Sequence, residues 1–159
     1  TNCGVSYIVD ALYLNSILNI MYVNELLSGL WIGDSAILNS KRFMEENSID
    51  IILNCTQIFD FPDLNIQKIR LPFSNDKNSD TDLMLLRQNK DKILSFIDSN
   101  IAEKNILIVC YDGKSISPFL VALYIAEYSK IDKKSIYNIL LTKDSSLSLW
   151  FDLSLFYNM

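Results

Sequence analysis

The chain has 159 residues, half of them apolar and 21% charged, with a formal net charge of −5 and no histidine. That length and apolar share suit one folded domain with a sizeable core rather than a disordered chain. The missing imidazole excludes Ser-His-Asp and Cys-His catalysis and histidine-ligated zinc, while the negative balance argues against nucleic acid or an anionic membrane surface as partner.

Cysteines at 3, 55 and 110 are too few and too scattered for a disulfide framework or a metal cluster. No metal or cofactor is therefore expected, and a reducing, cytoplasmic compartment fits best. The chain opens on Thr1 rather than Met, which reads as a piece of a longer protein.

Between Tyr7 and Leu27, apolar residues recur at helical spacing: Ile8, Leu12, Leu14, Ile17, Leu18, Met21, Tyr22 and Leu26. This predicts an N-terminal helical segment over residues 1–28. Asp10, Asn15, Ser16, Asn19, Asn24 and Glu25 interrupt it too often for a membrane span, and no basic stretch precedes it as in a signal peptide. Its apolar surface is wider than one stripe, so it packs either on its own domain or on a partner.

A second unit is expected over residues 29–159. Leu30-Trp-Ile-Gly33 reads as a strand, Ser35 to Asn47 as a helix, and Ile49 to Thr56 as a buried β-branched strand in which Cys55 is a core residue. Ile66 to Pro72 alternates as a strand and leads into the polar loop Phe73 to Asp80. Asp80 or Thr81 is the expected N-cap of a helix reaching Asn100.

The most informative stretch is Ile106-Leu-Ile-Val-Cys-Tyr-Asp-Gly-Lys-Ser-Ile-Ser-Pro118. An all-apolar strand ends in Cys110, a small loop holds Gly113, and a helix follows from about Ser117, with Pro118 tolerated in its first turn. Strand, tight loop and helix aim backbone N–H groups and a helix N-terminus at one point, which attracts anions and favours a thiolate. Phe119 to Ala126 is nearly all apolar and reads as a central helix; Ile131–Leu141 and Leu147–Tyr157 read as two closing helices. The alternation of strands and helices predicts an α/β fold.

At these residues the chain resembles the cysteine-dependent protein phosphatases, in their dual-specificity branch, whose signature reads His-Cys-x-x-Gly-x-x-Arg-Ser/Thr. Cys110, Gly113 and Ser117 match, and the Trp31-Ile-Gly33 and Ile52-Leu-Asn54 segments resemble earlier strands of that family. Val109 stands where the family has its His, and Ile116 where it has its Arg. The resemblance implies a mainly parallel central sheet flanked by helices. It implies Cys110 as the vestigial nucleophile, Asp76 as the vestigial general acid with Asp80 as runner-up, and Ser117 as the hydroxyl that eases thiolate departure. Tyr111, Asp112, Gly113, Lys114, Ser115 and Ile116 would form the phosphate loop.

Isoleucine offers no donor where a guanidinium would hold two phosphate oxygens. Removing one oxyanion donor elsewhere costs about 100- to 1,000-fold in rate, and a charged bidentate one should cost at least as much. The reading is therefore a pseudophosphatase that binds a protein partner, a phosphoprotein or a kinase, without chemistry. Some viral members of the family pair through an N-terminal helix, which implies a homodimer through residues 1–28. One alternative is an active, atypical phosphatase using Cys110 and Asp76, with Lys114 in place of the arginine. Another is a rhodanese-like domain, disfavoured because no Gly-Gly turn follows the cysteine.

Overall fold

The computed structural model describes residues 21–158 of the chain. Five strands form one sheet in the order β1-β2-β5-β3-β4: β1 Val23–Leu27, β2 Leu30–Gly33, β3 Ile49–Asn54, β4 Gln67–Arg70 and β5 Asn105–Val109. Only the β1–β2 pair is antiparallel; β2–β5, β5–β3 and β3–β4 are parallel. Among the described residues four α-helices pack with the sheet: α1 Lys41–Glu46, α2 Asp80–Asn100, α3 Ile116–Ser129 and α4 Lys133–Lys143. The expected α/β architecture, with a mainly parallel sheet flanked by helices, is borne out. Among the described residues no helix is long and apolar enough to cross a membrane.

The continuous apolar runs of β3 and β5 follow from burial on both faces, as parallel sheets require. Ile51, Leu53 and Cys55 from one run, and Ile106, Ile108 and Cys110 from the other, enter the larger core under α2 and α3. Their alternates Ile52, Leu107 and Val109 face a smaller core closed by Ile37, Leu38, Phe43 and Met44. Helix α3 is buried over nearly its whole first three turns, from Ile116 to Ala126. Phe119 anchors it, with Phe151 and Phe156 packed on its ring at centroid distances of 5.7 Å each.

Four expectations about local structure are corrected. Residues 1–20 of the expected N-terminal helix, and pairing of two copies through it, lie outside the described residues. Its last part is not helical, because Val23–Leu27 is a strand. Apolar spacing alone could not separate the two forms, and the deciding factor is a neighbour: Gly29, at φ +80°, turns the chain so that β1 pairs with β2. The single helix expected over Ser35–Asn47 is broken. A 3₁₀ turn over Ser35–Asn39 ends at Ser40, whose hydroxyl accepts the Phe43 N–H and starts α1.

Helix α2 is capped by Ser79, which accepts the Asp82 N–H, rather than by Asp80 or Thr81. The last correction is the largest, since Leu147–Tyr157 is not a helix. Only Leu153–Leu155 winds into a 3₁₀ turn, and the backbone before it is drawn into tertiary bonds. The Ser148 N–H donates to the Lys114 carbonyl at 2.9 Å, and the Trp150 N–H to the Ser115 carbonyl at 3.3 Å. Helix propensity loses to these longer-range partners.

Phe119→Ala removes the ring on which the C-terminal segment packs. A loss of about 3–5 kcal/mol in unfolding free energy is expected, measurable by urea denaturation.

Candidate active site at the loop after strand β5

The end of β5 is held from both sides. The Cys55 N–H donates to the Val109 carbonyl at 2.7 Å, and the Cys110 N–H donates to the Gly33 carbonyl at 3.1 Å. Cys110 is thereby fixed at the tip of the central strand, fully buried beside the start of α3. The loop that follows packs tightly on the end of β2. A Cβ on Gly113, at φ +71°, would meet the Asp34 nitrogen and the Gly33 carbonyl carbon at 2.7 Å each. Glycine is required there both by conformation and by space.

Ser115 occupies the N-cap position of α3 without a side-chain cap bond, so Ser117 is not the expected cap but the second residue of the helix. The Ser117 N–H points at the Cys110 sulfur, 3.4 Å away. The Ser117 hydroxyl is buried with no partner in good hydrogen-bonding geometry, yet lies close enough to the thiol to favour its anion. Ile116 turns inward into the larger core.

Burial pushes the Cys110 thiol up; the Ser117 hydroxyl and the Ser117 and Ser115 N–H groups oppose this, while the Asp112 charge adds to it. The net direction is upward, opposite to an activated thiolate. Burial also raises Cys55, whose thiol feels that of Cys110 from the neighbouring strand. Asp112 folds back over the loop. Its Oδ1 accepts the Lys114 N–H at 2.9 Å and the Ser115 hydroxyl at 2.8 Å, and the Cys110 thiol donates to it at 3.5 Å.

Lys114 is the one cation in the loop, and its ammonium sits over the Tyr22 ring, 4.7 Å from the centroid. The Tyr22 hydroxyl donates to Asp144 Oδ2 at 2.6 Å. Burial, reinforced by that bond, pushes the Tyr22 phenol up to about 12. Bonds from Ser146 and from Tyr22 hold Asp144 down at about 2.

Tyr111 fastens the loop to its other neighbours, its hydroxyl donating to the Phe73 carbonyl at 2.8 Å and accepting the Gln57 N–H at 3.0 Å. Asp76 is exposed in the loop before α2 and accepts the Asn78 N–H at 3.0 Å, the role of a turn residue. Asp80 is the first residue of α2 and also exposed. The buried carboxylate of that region is Asp82, which takes the N–H and hydroxyl of Ser74 at 2.9 and 2.7 Å.

The structure places Cys110 to Ser117 in one loop and helix start, leaves Asp76 and Asp80 exposed ahead of and at the start of α2, and adds Tyr22, Asp34 and Asp144, which sequence reasoning missed. Asp34 could have been suspected as the N-cap of the turn after β2. Nothing local marks Asp144 as a partner of Tyr22.

A strand ending in a buried cysteine, a glycine loop and a helix pointing its N-terminus back at the sulfur are features of the protein tyrosine phosphatase fold, and solved structures of that fold superimpose on this chain. The chain has that fold in its compact dual-specificity form. No protein-family model matches the sequence. Among solved structures, human DUSP28 superimposes with a TM-score of 0.68 at 12% identity, covering 80% of this chain and 84% of that one. The human tyrosine phosphatase-like serine/threonine/tyrosine-interacting protein gives 0.68 at 16% identity, over 80% and 87% of the two chains. A leucine-rich-repeat and phosphatase-domain protein from Entamoeba histolytica gives 0.67 at 15%, over 84% and 89%.

Two outcomes are expected. Iodoacetamide should alkylate Cys110 of the folded protein more slowly than free cysteine at neutral pH, with its midpoint above the ordinary thiol range of about 8.5. A midpoint near pH 5 would contradict the burial argument. The Tyr22–Asp144 bond should stabilise the fold only while the phenol is protonated and the carboxylate ionised. A raised phenol contributes below its unfolded value and loses this as pH climbs towards about 12; a lowered carboxylate contributes above its unfolded value and loses this as pH falls towards about 2. The stability difference between the native chain and Tyr22→Phe should be flat from about pH 4 to about pH 10 and shrink outside it.

Proposed function

We propose that this domain is a pseudophosphatase, a binding or scaffolding module that engages a protein partner and does not turn over phosphate. The observation that carries the reading is the Asp112 carboxylate seated on the loop's own donors, the Lys114 N–H and the Ser115 hydroxyl. A phosphate would have to displace it, against its charge, in a loop where Ile116 supplies no guanidinium. The upward direction of the Cys110 thiol supports the same reading, because the nucleophile would be a thiolate. One structural neighbour is itself named a phosphatase-like interacting protein.

An active, atypical phosphatase is the second reading, favoured by the Ser117 N–H that still points at the sulfur. The two separate on hydrolysis of a fluorogenic aryl phosphate by the native chain, Cys110→Ser, Ile116→Arg and Asp112→Ala. No native turnover above the Cys110→Ser background is expected. Asp112→Ala should bind tungstate at least about tenfold more tightly than the native chain, because the internal carboxylate no longer competes. Native turnover that disappears in Cys110→Ser would overturn the proposal.

A further inference from the structure

Tyr22 lies across the signature loop and is fixed there by contacts on every side. Its N–H donates to Asp34 Oδ2 at 3.0 Å, and its carbonyl accepts the Asp34 N–H at 2.9 Å. Its hydroxyl donates to Asp144 and accepts from the Asn24 amide at 3.4 Å. Its ring presses on Gly113, where an added Cβ would come within 2.8 Å of Cδ1. The Lys114 ammonium lies over the ring, 4.7 Å from its centroid, within the field of the Asp144 carboxylate.

An ammonium lying over this ring makes its contact with Tyr22, and it is not among the charges that bear on Cys110. The charge that bears on Cys110 is instead that of Asp112. A single cation–π contact near the surface is weak, so little is needed to release Lys114 from the ring. The groups that face the loop are Tyr22 before β1, Asp34 after β2, Cys55 after β3, Asp144 after α4, and Asp112 with Lys114 on the loop itself.

We propose that Tyr22 is a latch: it parks the Lys114 ammonium outside the signature loop, and its displacement returns that cation to the anion cradle. The inference rests on reading the resting loop as chemically silent, and it adds a route by which the loop's charge is reset.

The test is the pH profile of Cys110 alkylation by iodoacetamide, read by mass spectrometry, in the native chain, Lys114→Ala, Tyr22→Leu and the double variant. Leucine keeps an apolar side chain over Gly113 but removes both ring and hydroxyl. Tyr22→Leu is expected to lower the alkylation midpoint by about one pH unit, a tenfold gain in thiolate at neutral pH. The double variant should return to the native midpoint, and Lys114→Ala alone should leave it unmoved. An unchanged midpoint in Tyr22→Leu, or a fall that persists without Lys114, would overturn the latch. If Tyr22→Leu does not fold, Lys114→Ala decides, since a raised midpoint there would mean the cation already serves the thiol. Because the profile reads the thiol and not turnover, phosphate hydrolysis by the native chain would overturn the proposed function while leaving this inference to be judged on its own result.

Discussion

Everything at the site depends on how the central strand ends. Strand β5 lies between β2 and β3, and its ladder continues one residue past its regular part, through the bonds Cys55 N–H to Val109 and Cys110 N–H to Gly33. A strand buried on both faces and bonded on both edges has no freedom to shift by one residue, because a slip would exchange its two core faces. That constraint puts Cys110 in the larger core rather than in the smaller one. It also fixes where the next loop begins and, through Gly113, how closely that loop lies on the end of β2.

The electrostatics of the loop are set by side chains that belong to it. Amides gathered at a helix start make a region that favours negative charge. In this chain the negative charge is internal, supplied by Asp112, while the loop's lysine is turned outward onto an aromatic ring. A buried thiol next to a carboxylate then resists ionisation. The strand, loop and helix start are in place, with the Asp112 carboxylate on two of the loop's own donors.

How much of this was legible in the sequence follows from how local each cause is. The run Ile106–Val109, the cysteine and the glycine predict strand, loop and helix correctly, because burial and backbone freedom leave direct marks on composition. The segments read wrongly, Val23–Leu27 and Leu147–Tyr157, have apolar spacing that suits a helix but backbone partners far along the chain. Tyr22 and Asp144 are separated by 122 positions, and no spacing rule pairs them. Asp112 is legible as a member of the loop, but that its side chain turns in and takes the loop's donors depends on loop shape, which sequence does not encode locally. Ile116, by contrast, could be expected to face inward, since an isoleucine at the start of an apolar helix has little reason to face water.

The brace from residues 148 and 150 ties the loop's geometry to the order in which the chain is made. Ser148 and Trp150 supply the N–H groups that hold the Lys114 and Ser115 carbonyls. During synthesis the sheet strands and α3 precede those donors, but Leu147 and Leu153 of the same segment belong to the larger core and Phe151 packs on Phe119, so the core is completed only when the brace arrives. The loop's geometry and the completion of the core are thus a single, late acquisition in the life of each molecule, made when one segment docks.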